Sequence, residues 1–159
     1  MNVSIRVMRP DEVNVVAALQ VALFAEDAAV HDPSTNRSWP VEHGPADLAD
    51  LAERDDAVVL VAAVEGAPIG FLAGLSVMSS PTRLITRHAV LRSLYVDPNH
   101  RRSKAGSALV TAFIEWAQHG GCEEVVVDHY TDNQPAADLY ARHGFAAQSV
   151  TRTLRIVAT

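Results

Sequence analysis

The hydrophobic period of this chain changes twice between residues 86 and 127, and that change limits the folds open to it. Residues 86–96 read as a strand closed by Asp97-Pro98-Asn99. From Ala105 the period becomes helical, with Ala105, Ala108, Leu109, Ala112, Phe113 and Trp116 on one face, until Gly120-Gly121 stops it. Val125-Val126-Val127 then forms an uninterrupted apolar run, typical of a strand covered on both faces. Strand, helix and strand in that order make a βαβ unit, whose crossover is right-handed and whose strands run parallel.

The flanking segments complete the plan. Residues 3–9 alternate as a half-buried strand, ended by Pro10-Asp11, and Asp11 is placed to cap a helix over 13–24. Residues 26–45, with Pro33, Pro40, Gly44 and Pro45, read as a long loop, and 45–54 as a short helix. Two β-rich runs, 57–65 and 68–77, are joined at Gly66-Ala67 as a hairpin. A capped helix over 133–143 and a last strand over about 147–157 close the chain. The expected order is β-α-α-β-β-β-α-β-α-β: an α/β fold with a mixed sheet, helices on both faces, and a single domain over 1–159.

Composition narrows the partners. Net charge is −6, which argues against a nucleic-acid surface and mildly favours a cationic partner. Yet Arg83, Arg87, Arg92, Arg101, Arg102 and Lys104 are concentrated in one stretch, either a solvated basic face or the seat of an anionic ligand. The longest apolar run, residues 57–64, is far short of the roughly 20 residues that span a membrane. The N-terminus carries no secretory pattern, so a cytoplasmic protein without membrane association is expected. Cys122 stands alone, so there is no internal disulfide, and it reads as a packed small residue rather than a nucleophile. His31 and Asp32 do not make a metal site, and no metal is expected.

Arg101-Arg102-Ser103-Lys104-Ala105-Gly106-Ser107 lies where the βαβ helix begins. Unpaired N–H groups and the positive dipole end make such a junction an anion site. Charge-assisted hydrogen bonds of about 1.5–3 kcal/mol outweigh a dipole term of about 0.3–1 kcal/mol, so N–H groups and cations dominate. Neither a P-loop nor a dinucleotide glycine motif is present. Further on, Asn133 caps a helix with Pro135 in its first turn and Ala136, Leu139, Tyr140 and His143 on one face. By spacing alone, Tyr140 is either a core aromatic or a presented hydroxyl.

Together these segments resemble the acetyl-CoA site of the GNAT superfamily of acyl-CoA-dependent N-acetyltransferases. Arg101 and Gly106 match the first and last positions of Arg/Gln-x-x-Gly-x-Gly/Ala, with Lys104 where glycine is usual. Asn133, Ala136, Leu139, Tyr140, Gly144 and Phe145 match Asn-x-x-Ala-x-x-Leu-Tyr-x-x-x-Gly-Phe. The resemblance covers about residues 86–146. It implies that acetyl-CoA is the co-substrate, that residues 101–107 with Asn133 and Ala136 bind it, and that the strand end Leu94, Tyr95 and Val96 bulges, splays from its parallel neighbour and pairs with the pantetheine arm. It also implies direct attack by an amine, with Tyr140 protonating the departing thiolate.

Deprotonating a lysine-like amine at pH 7 costs roughly 4–5 kcal/mol, so a base or water relay is required. Candidates are Glu26, Asp27, His88 and His129, with His129 ranked first because it lies where the strands separate. Glu26, Asp27 and Trp39, together with His31 and Asp32, fall where the family forms part of its acceptor wall, and carboxylates and an indole suit a cationic amine. A small amine is the favoured acceptor, with a protein N-terminal or lysine amine as the alternative. A non-catalytic acyl-CoA-binding sensor is the rival class. Residues 150–157 are a natural place for two copies to pair as a homodimer.

Overall fold

The computed structural model describes residues 2–158. In chain order it contains β1 (Val3–Val7), a 3-10 turn (Pro10–Glu12), α1 (Val13–Leu23), a π-helical turn (Phe24–Ala28) and α2 (Ala29–His31). Next come α3 (Trp39–Glu53), β2 (Ala57–Val64), β3 (Ala67–Met78) and β4 (Arg87–Val96). A second 3-10 turn (Pro98–Ser103), α4 (Ala105–His119), β5 (Glu124–Val127) and α5 (Gln134–Arg142) complete it. The sheet order is β1-β2-β3-β4-β5, antiparallel up to β4 and parallel between β4 and β5. The expected mixed α/β sheet with helices on both faces is therefore present.

The apolar run of β2 has a simple cause. Val58, Leu60 and Ala62 face the layer of α4, with Leu109 and Phe113, while Val59 and Val61 face Val16 of α1 and Leu48 and Leu51 of α3. A strand covered on both sides has no polar face to alternate with. Fully burying such side chains contributes about 1.5–3 kcal/mol each. The β2–β3 hairpin turns through Glu65 and Gly66, both at positive φ, one residue earlier than expected. Gly74 sits under the Phe113 ring, where a Cβ would come within 2.4 Å of it.

Two expectations are corrected. Residues 26–45 are not a long loop: the π-helical turn and α2 occupy the start, and α3 begins at Trp39. Pro40 sits in the first turn of α3, and the carbonyl that Pro45 leaves without a helical donor is that of exposed Val41. The helix is retained because Leu48 and Leu51 are buried against the sheet. The last strand is absent: among the described residues, 146–158 are exposed and form no strand, since no sheet edge within the chain pairs with them. Finally, the helical stretch Pro10–His31 has a mean hydropathy of 1.6 in its most apolar window, long and apolar enough by length and composition to cross a membrane. Here Val16 and Ala17 of that stretch are part of the core.

Candidate active site

The parallel strands part after four residue pairs. β4 and β5 are in register from His88↔Glu124 to Leu91↔Val127, whereas β4 runs on to Val96. On its other side, Ala73 opposes Ser93 while Gly74 opposes Leu91, so Arg92 is the bulged residue. Arg92 is fixed outward by Asp47 of α3 (Nη2 to Oδ2, 3.1 Å). Beyond it, the β5-side main chain of Ser93 to Val96 has no strand partner. A cleft of about 2150 Å³ occupies the gap, bordered by Leu94, Lys104, Gly106, His129, Ala136 and Tyr140 among others.

At one end of the cleft lies the start of α4. Asp97 caps the 3-10 turn by accepting the Asn99 N–H at 2.8 Å, and Lys104 joins that turn to α4 at φ 64°, ψ 15°. This left-handed conformation explains why glycine is usual at the position: a side chain there is strained by about 1–2 kcal/mol. The first N–H to return to the loop is that of Ala108, on the Lys104 carbonyl at 3.0 Å, leaving those of Ala105, Gly106 and Ser107 at the helix opening. A Cβ on Gly106 would make only ordinary contact with Val96 and Leu139, so the protein's own packing does not demand glycine there.

The cations divide their work differently from the sequence expectation. Arg101 is turned away from the helix start: its Nε donates to the Val96 carbonyl at 3.0 Å, its Nη2 donates to Glu26, and it lies 5.5 Å from the Tyr95 ring centroid. Among the described residues, Arg102 and Lys104 have no carboxylate partner and are the charges left for an anion. The Ser103 hydroxyl is committed to the His100 carbonyl at 2.6 Å. Ser107 Oγ and His143 Nε2 are hydrogen-bonded at 2.9 Å, tying the start of α4 to the end of α5; burial lowers the His143 pKa. Open helix N–H groups, two free cations and an unpaired strand edge, all on one cleft, fit a long ligand that carries a diphosphate and amides.

At the other end stands Tyr140. Asn133 caps α5 through Oδ1, which accepts the Ala136 N–H at 3.1 Å, while its Nδ2 donates to Asp27 Oδ1 at 2.9 Å. Tyr140 is 7% exposed and its ring lies between His129 (6.0 Å, stacked) and Phe145 (5.5 Å, edge-on). Burial first, and then the Asp27 charge, push its phenol up to about 12. His129 Nδ1 and the Tyr130 carbonyl are 2.9 Å apart, so Nδ1–H donates to that carbonyl and Nε2 is left without a protein partner among the described residues. His88 is not brought to the site: it pairs with Ser79 Oγ at 2.9 Å, at the closed end of the β4–β5 ladder.

The π-helical turn presents two adjacent acids to different partners. Glu26 accepts from the Tyr95 hydroxyl at 3.0 Å and from Arg101, whereas Asp27 meets Asn133 and, at 3.5 Å, His31 Nε2. The Tyr95 phenol pKa is raised, chiefly by burial and then by Glu26. Trp39 stacks on Phe24 at 5.9 Å along the same wall. Two participants were missed from the sequence. Tyr95 was valued for its main chain and not its hydroxyl, and Tyr130 stacks under His31 at 5.1 Å. Only the adjacency of Tyr130 to His129 hinted at it.

Comparisons with known proteins agree with this geometry. The acetyltransferase (GNAT) family profile matches residues 27–145. Aminoglycoside N(6')-acetyltransferase type 1 of Klebsiella aerogenes is 31% identical over 109 residues, 68% of this chain and 71% of that protein. An uncharacterized N-acetyltransferase of Methanocaldococcus jannaschii is 30% identical over 103 residues, 64% of this chain but 45% of that longer protein. The solved structure of AAC(6')-Iy in complex with a bisubstrate analog, CoA-S-monomethyl-acetylneamine, has a TM-score of 0.77 at 18% identity, covering 99% of this chain and 100% of that one. A splayed parallel strand pair, an open helix start and a buried tyrosine on a capped helix, within a chain matched by that profile over most of its length, have one conclusion: this chain belongs to the acetyltransferase (GNAT) family of acetyl-CoA-dependent N-acetyltransferases.

Proposed function

We propose that this enzyme acetylates a primary amine of a small cationic molecule by direct attack, without an acetylated enzyme. The observation that carries the reading is the Tyr140 phenol: buried, protonated, unengaged by any hydrogen bond among the described residues, and at the separation of β4 from β5. Acetyl-CoA supplies an acyl thioester whose carbonyl carbon accepts the amine nitrogen. The open N–H groups of Ala105, Gly106 and Ser107, with Arg102 and Lys104, hold its diphosphate, and the free edge at Leu94, Tyr95 and Val96 holds its amides. Tyr140 Oη donates its proton to the leaving sulfur. A thiol at about 8.5 is the stronger acid in water, so the dry pocket, which raises both groups, is part of the mechanism. His129 Nε2 takes the amine proton, directly or through water.

Asp27 and Asp32 on the cleft wall supply negative charge, and Trp39 a ring face, for a polycation. The Klebsiella aerogenes relative carries the name of an aminoglycoside acetyltransferase, which agrees with an acceptor of that kind. Thiol release from acetyl-CoA is to be followed across an aminoglycoside, a polyamine, an amino acid and a lysine-containing peptide. Turnover with the small polycations is expected. Transfer confined to the peptide would move the assignment to a protein amine, and acetyl-CoA binding with no transfer to any acceptor would mark a sensor.

A further inference from the structure

Among the described residues, Glu12 and Gln20 are the charged or polar side chains buried outright, and the fold treats them in opposite ways. Glu12 accepts from the Arg6 guanidinium and from the Arg9 main-chain N–H. Gln20 of α1 is 2% exposed, and its Oε1 is buried with no hydrogen-bond partner. Native folds leave few such groups, and each needs a cause. The other buried atom in that condition, His100 Nδ1, at least lies 3.5 Å from Asp97 Oδ1 and does not border the cleft.

Packing alone would favour leucine at position 20. Val16, one turn earlier, belongs to the core, and α3 presents the buried stripe Gly44, Leu48 and Leu51. Gly44 is fitted to the amide, since a Cβ there would lie 2.5 Å from Gln20 Oε1. Glycine inside a helix is itself less favourable than alanine. Two departures from good core design, an unpaired amide and a helical glycine, thus meet at one point. That point is on the cleft. Gln20 borders it, as do Leu23 and Phe24, three and four positions on, and Phe24 carries the stacked Trp39 ring. The last torsion of glutamine is broad, and the space left at Gly44 lets the amide turn about it.

We propose that Gln20 sets the enzyme's choice of acceptor by reading a hydroxyl group on it. The inference rests on the small-amine reading above and narrows it. Asp27 and Asp32 on the cleft wall suit ammonium groups, whereas a neutral amide is indifferent to charge. An amide matches a group that both donates and accepts: Oε1 takes a hydroxyl proton, and an N–H meets a hydroxyl oxygen. The acceptor class is therefore a hydroxyl-bearing amine of the amino-sugar kind, not an alkyl polyamine. A site with a buried polar group rejects the analogue that leaves that group unpaired.

The test uses the full-length protein, an aminoglycoside and spermidine. Binding is measured by calorimetry with coenzyme A present, and transfer by steady-state kinetics with acetyl-CoA. Gln20→Leu, close in volume, should raise Kd and KM for the aminoglycoside about tenfold, and leave those for spermidine and acetyl-CoA within about twofold. Loss of the unpaired amide should raise its Tm by about 2–4 °C. Gly44→Ala displaces the flexible amide end without removing it and should weaken aminoglycoside binding as selectively; it decides the matter if Gln20→Leu does not fold. A lowered Tm with unchanged aminoglycoside affinity would overturn the proposal, marking a glutamine satisfied by buried water. Equal losses for both amines would also overturn it, as would a wild-type protein that does not bind the aminoglycoside; if that protein acetylates spermidine, the small-cation reading still stands. Selective weakening of aminoglycoside binding without transfer to any amine would sustain the role of Gln20 and overturn the proposed transfer instead.

Discussion

Asn133 joins two parts of the cleft by using both ends of one amide: Oδ1 accepts the Ala136 N–H at 3.1 Å and Nδ2 donates to Asp27 Oδ1 at 2.9 Å. The first bond starts the helix that carries Tyr140. The second holds the acid whose charge helps to keep the Tyr140 phenol protonated. One side chain thus sets the position of Tyr140 and of a carboxylate on the cleft wall.

Asn133→Ala removes both functions. Loss of the cap should cost about 1 kcal/mol, which lowers Tm by about 2–4 °C in a chain of this size. Release of Asp27 should raise KM for the amine more than KM for acetyl-CoA. Asn133→Asp keeps the cap acceptor but faces Asp27 with a like charge, so its KM for the amine should differ from wild type even where its Tm does not. Thermal melts and steady-state kinetics on both variants check this.

Tyr140→Phe deletes a hydroxyl that bonds no protein group among the described residues, so the fold should persist. Removal of a positioned proton donor should lower kcat by about 10²–10⁴. Affinity for acetyl-CoA, measured by calorimetry, should stay within about twofold, since the diphosphate contacts proposed above lie at α4. An unchanged kcat would dismiss the role. The phenol at about 12 lies above its ordinary value of 10. Its contribution to stability is therefore complete below pH 10 and is lost as pH rises toward 12, a loss that Tyr140→Phe should not show in alkaline unfolding.

Lys104→Gly relieves the left-handed strain at φ 64°. Glycine's greater freedom in the unfolded chain takes back part of the gain, so the free enzyme should become more stable by up to about 1 kcal/mol. One of the two cations at the helix start is lost in the same step. Affinity for acetyl-CoA should therefore fall, and the fall should shrink at high salt. Urea titration and salt-dependent binding separate the two effects.

Glu12 anchors the N-terminal strand to the first turn. Nearly buried, it accepts from Arg6 Nη1 (2.8 Å), Arg6 Nη2 (2.6 Å) and the Arg9 main-chain N–H (2.9 Å). The Arg6 bonds, foremost, hold its carboxyl down at about 2 instead of 4.5. A depressed carboxylate stabilises the fold above pH 4.5, and that contribution disappears as pH falls toward 2. Glu12→Gln should lose about 3 kcal/mol at neutral pH and show a flatter dependence of stability between pH 4.5 and 2. Denaturation midpoints across that range test it.

Local chemistry made much of this legible in advance. The hairpin, the βαβ unit and the Asn133 cap were readable because turn residues and period act over a few positions, whereas Asp11 does not cap α1, which follows a 3-10 turn over Pro10–Glu12 with Glu12 at its N-cap. The spacing from Asn133 to Phe145 located the tyrosine helix for the same reason. Residues 26–45 misled because three prolines and a glycine argue for a loop. Burial of Leu48 and Leu51 against the sheet outweighed that preference. The strand expected at 147–157 shows the opposite case: its alternation is correct, but alternation alone does not supply an edge to pair with.

The amino-acid order by itself determined the strands of the hairpin and of the βαβ unit, the parallel crossover and the open helix start after Lys104, since each depends on near neighbours in the chain. Tertiary structure alone decided that Arg101 serves Glu26 rather than that anion, and that β4 and β5 part after Leu91. It also brought Asp27 to Asn133, 106 positions away. Those outcomes depend on which distant charges and strand edges come within a few ångströms of each other, and neither period nor propensity carries that distance.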